Sequence, residues 1–277
     1  MASRSSVTEH PAGGRPPAAR PAGLASLAAD AKILLSLVRG LPRRSSHADA
    51  LAGFYGPQAD RYDDFRERLL QGRAELIQSL PCGAGDRIVE LGGGTGRNLE
   101  FFGSRLRTFA AVEVVDLCQP LLDIAARRVA GSGMPDVRVV NADATIYQPG
   151  APVDCVYLSY ALTMMPRWRA VIDNAAAMLK PGGTIGVVDF YVSPANPPVG
   201  RTRHGWLTRT LWPAWFRHDG VRLSADHLNY LQRKFETCQL SECRAKVPYL
   251  PLVTAPYYVF IGRKVGRDAA RTAGSTL

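Results

Sequence analysis

Residues 89–98 read VELGGGTGRN. Glu90 lies near the end of the strand-like run RIVELG (87–92). Gly92, Gly94 and Gly96 then alternate through a turn that opens a helix. Glycine lets a backbone turn sharply and approach a ligand more closely than a side chain allows. The dinucleotide fingerprint GxGxxG, aligned on Gly92 and Gly94, needs glycine or alanine at position 97, where Arg97 stands. The pattern is instead ExGxGxG.

Outward from this loop, strand-like and helix-like segments alternate. FAAVEVVD (109–116), VRVVNAD (137–143), VDCVYLSY (153–160) and IGVVDFY (185–191) predict strands, and QPLLDIAARRVA (119–130) and residues 167–179 predict helices. LKPGGT (179–184) predicts a turn. Upstream, Tyr62, Phe65, Leu69, Leu76 and Leu80 share helical spacing and predict a helix over 59–80. Residues 192–223 break the rhythm with Pro, Gly, Arg and Trp, as an insertion would. A short helix follows at 225–235, then a β-pair at 238–247 and 256–264. The fold expected is α/β: a doubly wound, mostly parallel seven-stranded sheet with an antiparallel C-terminal strand pair.

Residues 1–23 are rich in Pro, Gly, Ala and Arg and cannot bury enough surface to order themselves. They predict a disordered basic arm, a composition that an organelle transit peptide also shows. LASLAADAKILLSLVRG (24–40) predicts an amphipathic helix, followed by a basic linker to residue 47. That helix suits packing on the domain or lying at a lipid interface. The main domain then spans 48–265, ahead of a flexible tail at 266–277. Residues 1–47 hold seven Lys/Arg against two Asp/Glu, and 201–277 hold thirteen against five, whereas 48–200 hold fourteen against seventeen. Basic flanks around a slightly acidic centre suit an anionic partner, a membrane surface or a nucleic acid. Five cysteines without a CxxC pair argue against a disulfide framework and for a reducing compartment. The expected location is the cytoplasm, peripheral to a membrane.

On ExGxGxG, on Asp116 twenty positions beyond Gly96, on NADA (141–144) and on LKPGGT, the chain resembles the class I S-adenosylmethionine-dependent methyltransferases. The resemblance implies S-adenosylmethionine as cofactor. It implies a glycine loop around the methionine and ribose portion, with Glu90, Gly92, Gly94 and Gly96. It also implies an acidic residue, Asp116 with its neighbour Leu117, accepting from both ribose hydroxyls. Asp143 and Ala144 would face the adenine, and Ser159 would stand at the end of the fourth strand.

More narrowly, YDDFRERLLQGR (62–73), LWPAWFRHDGVRLSADHLNYL (211–231) and KVPYLPLVTAPYYVFIGRK (246–264) are similar to the N-methyltransferases of betaine-lipid synthesis, which permethylate the amine of diacylglyceryl-homoserine. The nucleophile there must be the free amine, so a base or a site disfavouring the ammonium is expected. His218 beside Asp219 is the first candidate base, and Tyr160 the second. Trp206, Trp212, Trp215 and Phe216 suit a cage for a quaternary ammonium, a lipid contact or a small core. Tyr62 would close over the cofactor, and Arg66, Arg73 and Lys246 would meet the homoserine carboxylate.

The runner-up is a methyltransferase of a soluble small molecule, such as a quinone or specialised metabolite. Nucleic-acid modification is disfavoured, because SYAL (159–162) stands where an asparagine-proline-proline-aromatic tetrad would be. The intact glycine loop and Asp116 disfavour a non-catalytic lipid-binding domain. Transfer of the cofactor's aminocarboxypropyl arm is a chemical variant. No metal is expected, since the five histidines are scattered.

Overall fold

A computed structural model of the chain describes residues 69–132, 136–217, 221–247 and 253–266. The basic arm, the amphipathic helix at 24–47 and the tail beyond 266 lie outside the described residues. In chain order the elements are α1 (Arg73–Ser79), β1 (Arg87–Leu91), a 3-10 helix (Arg97–Thr108), β2 (Ala111–Asp116), α2 (Gln119–Ser132), β3 (Val137–Asn141) and β4 (Val153–Ser159). A 3-10 turn (Leu162–Met164), α3 (Trp168–Met178), β5 (Leu179–Phe190), α4 (Trp206–Arg217), α5 (Asp226–Lys234), β6 (Glu236–Lys246) and β7 (Thr254–Arg263) follow.

The seven strands form one sheet in the order β3-β2-β1-β4-β5-β7-β6. β5 with β7 and β7 with β6 are antiparallel, and the remaining pairs are parallel. Central strands buried on both faces are near-continuous apolar runs. In β1 all residues from Ile88 to Leu91 are buried, whereas the edge strand β3 alternates with exposed positions. One face is covered by α1, the 3-10 helix and α4, through Leu76, Ile77, Phe102, Leu106, Trp212 and Phe216. The other is covered by α3 and α5, through Val171, Ile172, Leu228 and Leu231. Fully burying one such side chain contributes about 1.5–3 kcal/mol. Gly186 lets α1 approach the sheet, because a Cβ there would lie 2.6 Å from Leu80 Cδ2.

Four boundaries differ from expectation. The helix expected over 59–80 is interrupted, in its described part, at Gly72. That residue sits at φ +82, and a Cβ there would meet the Tyr257 ring at 2.5 Å. The helix after Gly96 is 3-10 and is broken at Gly103, at φ +57. LKPGGT belongs to β5, since Gly182 N–H donates to the Lys264 carbonyl and Lys264 N–H to that of Gly183. The insertion at 192–223 contains the helix α4.

His227, on α5, is wholly buried with neither ring nitrogen hydrogen-bonded, its ring 4.6 Å from that of Trp168. Burial, helped by Arg169, lowers it to about 4. The unfolded chain therefore takes up a proton below pH 6.5 that the folded chain refuses until about pH 4. Stability is complete above pH 6.5 and falls across that window, by about 3 kcal/mol for this residue. His227→Leu should remove this loss, measured as the difference between the two proteins' urea midpoints at pH 7.5 and pH 4.5. Asp189, raised by burial to about 7, acts oppositely in both proteins and cancels. An equal acid loss in the variant would refute the assignment.

Candidate active site

The sheet order reverses between β1 and β4, and ligands of open α/β sheets bind beyond the carboxyl ends of the strands at such a point. The turn after β1 is built there. Gly92 and Gly93 N–H both donate to the Val115 carbonyl, at 2.8 and 3.1 Å, pulling the loop over β2. Gly92, Gly94 and Gly96 all have positive φ (75°, 54° and 67°). Gly93, which the alternating pattern passes over, is equally constrained. A Cβ there would sit 2.5 Å from Val114 and 3.1 Å from the Glu90 carboxyl. The unbroken GGG run was its only sequence signal.

Asp116, at the end of β2, joins the two loops. Its carboxylate accepts from Gly94 N–H at 2.9 Å and from Cys118 N–H at 2.8 Å. Gly92, Gly94, Asp116, Leu117, Asp143 and Ala144 line a cleft of about 230 Å³. Asp143 accepts from Thr145 N–H at 2.8 Å, and Asn174 Nδ2 holds that loop by donating to the Ala144 and Tyr147 carbonyls. Thr145 also lines the cleft, and its buried hydroxyl has no partner among the described residues.

The opposite wall is formed by Met164, Met165, Pro166, Arg167 and Val171. None of these stood out in the sequence, because the 3-10 turn that presents them has no local signature. Asp189, wholly buried on β5, fixes that turn by accepting from Thr163 N–H at 3.1 Å and Thr163 Oγ1 at 2.7 Å. Cys118, on the cleft floor, is a neutral thiol, pushed by burial up to about 11.

Several expected residues sit elsewhere. Glu90 does not line the cleft: its wholly buried carboxylate lies beneath the loop, accepting from Asn98 Nδ2 at 2.6 Å and the Tyr157 hydroxyl at 2.9 Å. Gly96 is behind the cleft, packed on Ala125 of α2. Ser159 is buried outside it. Arg73 is buried and donates to the Leu70 carbonyl and to Asn98 Oδ1, so it is committed to structure rather than to a substrate carboxylate. Lys246 ends β6, exposed. Of the aromatic group, Trp212 and Phe216 are core and Trp206 and Trp215 are exposed, so no cage forms among them. His218, Asp219, Tyr62 and Arg66 lie outside the described residues.

Tyr160 is corrected as a base. Its hydroxyl donates to the Gln71 carbonyl at 2.6 Å, its ring lies 4.6 Å from Phe190, and burial holds the phenol well above its ordinary range. Its φ of +52, unique among the described non-glycine residues, turns the chain sharply into the Ala161–Met165 wall. Tyr160→Phe should lower stability by about 1 kcal/mol through the orphaned carbonyl, while turnover stays within about threefold of wild type. A loss of turnover a hundred times larger, at unchanged cofactor affinity, would restore the catalytic role.

Residues 88–183 match the family model described as a methyltransferase domain. The chain is 32% identical over 135 residues to the demethylmenaquinone methyltransferase of Clavibacter sepedonicus, covering 48% of this chain and 51% of that one. It is 29% identical over 129 residues to a trans-aconitate 2-methyltransferase of Methylobacterium nodulans, covering 47% and 48%. It thus spans about half the length of the curated relatives it matches. Among solved structures, the N-methyltransferase NodS of Bradyrhizobium japonicum in complex with S-adenosylhomocysteine superposes with a TM-score of 0.57 at 16% identity, over 79% of this chain and 98% of the other. The geranyl diphosphate C-methyltransferase of Streptomyces coelicolor gives 0.59 at 14%, over 81% and 100%.

The glycine turn and the strand-end carboxylate lie within the stretch that matches the methyltransferase domain, whose cofactor, by the resemblance above, is S-adenosylmethionine. The cleft suits that cofactor. A carboxylate for vicinal hydroxyls, an unpartnered threonine hydroxyl and a largely apolar slot stand together where a nucleoside would lie. Among the described residues no group of three or more His, Cys, Asp or Glu could hold a metal ion, and no helix is long and apolar enough to cross a membrane.

Proposed function

We propose that this protein is an S-adenosylmethionine-dependent N-methyltransferase acting on the amine of a lipid headgroup, diacylglyceryl-homoserine. The observation that carries the reading is where segment 211–231, one of the three resembling the betaine-lipid enzymes, stands beside the cofactor cleft. Phe216 stacks on Phe190 at the end of β5 at 4.9 Å, and Arg222 N–H donates to the Thr163 carbonyl at 2.7 Å, next to cleft-lining Met164. That segment is thus set against the wall from which an acceptor would approach.

When bound, S-adenosylmethionine supplies an electrophilic methyl group on a sulfonium. Asp116 would hold the ribose hydroxyls, and Asp143, Ala144 and Thr145 the adenine. The protein's remaining work is alignment and exclusion of water, which displacement at a methyl carbon demands. The carboxylates of Asp116 and Asp143 accept from backbone N–H groups. The base falls to His218 with Asp219, or to solvent acting on an amine that enters unprotonated.

Methylation of a soluble or quinone acceptor is the second reading, favoured by the match to a demethylmenaquinone methyltransferase. The test is incubation with methyl-labelled cofactor and detergent-dispersed diacylglyceryl-homoserine, in parallel with a demethylated naphthoquinol. Label in the amine lipid supports the first reading, and label in the quinol alone replaces it with the second.

A further inference from the structure

We propose that the outward face of α4 is a docking surface for an anionic lipid bilayer. The helix is apolar on two sides. Its inner side is core: Trp212 and Phe216 stack with ring centroids 5.4 Å apart. Its outer side exposes Trp206 (75%), Leu207 (59%), Leu211 (48%) and Trp215 (52%). At 3.6 residues per turn these four fall within one half of the helix circumference, opposite Trp212 and Phe216, with a tryptophan toward each end roughly 13 Å apart. A soluble surface helix is normally polar on the side away from its core. Here that side carries two leucines and two tryptophans, with Thr210, Ala214 and Arg217 among them, the composition of a helix lying in a membrane interface.

Charge decides the occupant. Residues 192–223 hold five arginines and a single acidic residue, Asp219. Arg203 precedes the helix, Arg209 lies beside the apolar half and Arg217 lies within it at its C-terminal end, and none forms an ion pair among the described residues. Cations around an apolar strip match anionic headgroups around acyl chains. A second copy of the chain would set arginine against arginine, because a two-fold interface pairs a patch with itself. The use of the face rests on the lipid-acceptor reading, but the test separates the two.

The full chain should co-sediment with vesicles of phosphatidylcholine containing phosphatidylglycerol, and less with phosphatidylcholine alone. Trp206→Gln with Leu207→Gln, on an exposed face outside segment 211–231, should weaken partitioning about tenfold or more. Its melting temperature and its methylation of micellar diacylglyceryl-homoserine should match wild type. The proposal is overturned if the wild type stays in the supernatant, or if a folded double variant binds vesicles as the wild type does. It is also overturned if the wild type is a dimer that the variant turns monomeric. Vesicle binding that depends on Trp206 and Leu207, without methylation of the micellar lipid, keeps the docking face and removes the lipid acceptor.

Discussion

Asp116→Ala should weaken S-adenosylmethionine binding by about 100-fold or more, equivalent to about 2.7 kcal/mol. Isothermal titration with S-adenosylhomocysteine reads it directly. Two losses combine. The ribose hydroxyls lose their acceptor, and the N–H groups of Gly94 and Cys118, which share the carboxylate at 2.9 and 2.8 Å, lose theirs. The turns after β1 and β2 are then no longer tied together at the cleft. Asp116→Asn should also fail, by at least about tenfold, since its amide would point a donor at one of those N–H groups. Binding within about threefold of wild type for either variant would remove Asp116 from the cofactor site.

Gly92→Ala should be among the most damaging single-methyl changes in the described residues. Alanine at φ +75 carries about 1–2 kcal/mol of left-handed strain. The new Cβ would also lie 2.5 Å from that of Ala161 and 3.0 Å from Met165 Cε, both in cleft-lining residues. Overpacking adds about 1–3 kcal/mol. The expected sum, about 2–5 kcal/mol, corresponds to a fall in Tm of roughly 4–20 °C for a domain of this size, with cofactor affinity lost alongside. Gly85→Ala is the control. It has a similar φ of +83 but nothing within 4 Å of its Cβ, so only the strain remains. Equal melting shifts for the two variants would refute the steric part of the account.

The cleft lining was readable in sequence where its chemistry is local. Gly92, Gly94 and Asp116 are demanded by a tight turn and a strand-end carboxylate, and their spacing survives in one dimension. Glu90 was misplaced because β1 is buried on both faces. Apolar neighbours then give no clue to which side a residue faces, and the carboxylate turned out to support the loop from beneath. Met164, Met165 and Asp189 left no pattern, since their roles arise only when the turn after β4 meets β5. Tyr160 looked catalytic from its place after a strand. The carbonyl that occupies its hydroxyl is 89 positions away in the chain, and no local reading supplies that partner. The doubly wound parallel part of the sheet followed from the rhythm of strands and helices, and its antiparallel end from the resemblance. The length of β5 did not, because its glycine turn pairs with Lys264 from the far end of the chain.

The described cleft lining runs from Gly92 to Val171 without drawing on any residue beyond that span. The cleft lining is thus a contiguous stretch inside the matched region 88–183, while segment 211–231 is encoded downstream of it. Such a layout lets selection exchange acceptors by rewriting the ends of the gene, with no compensating change in the middle.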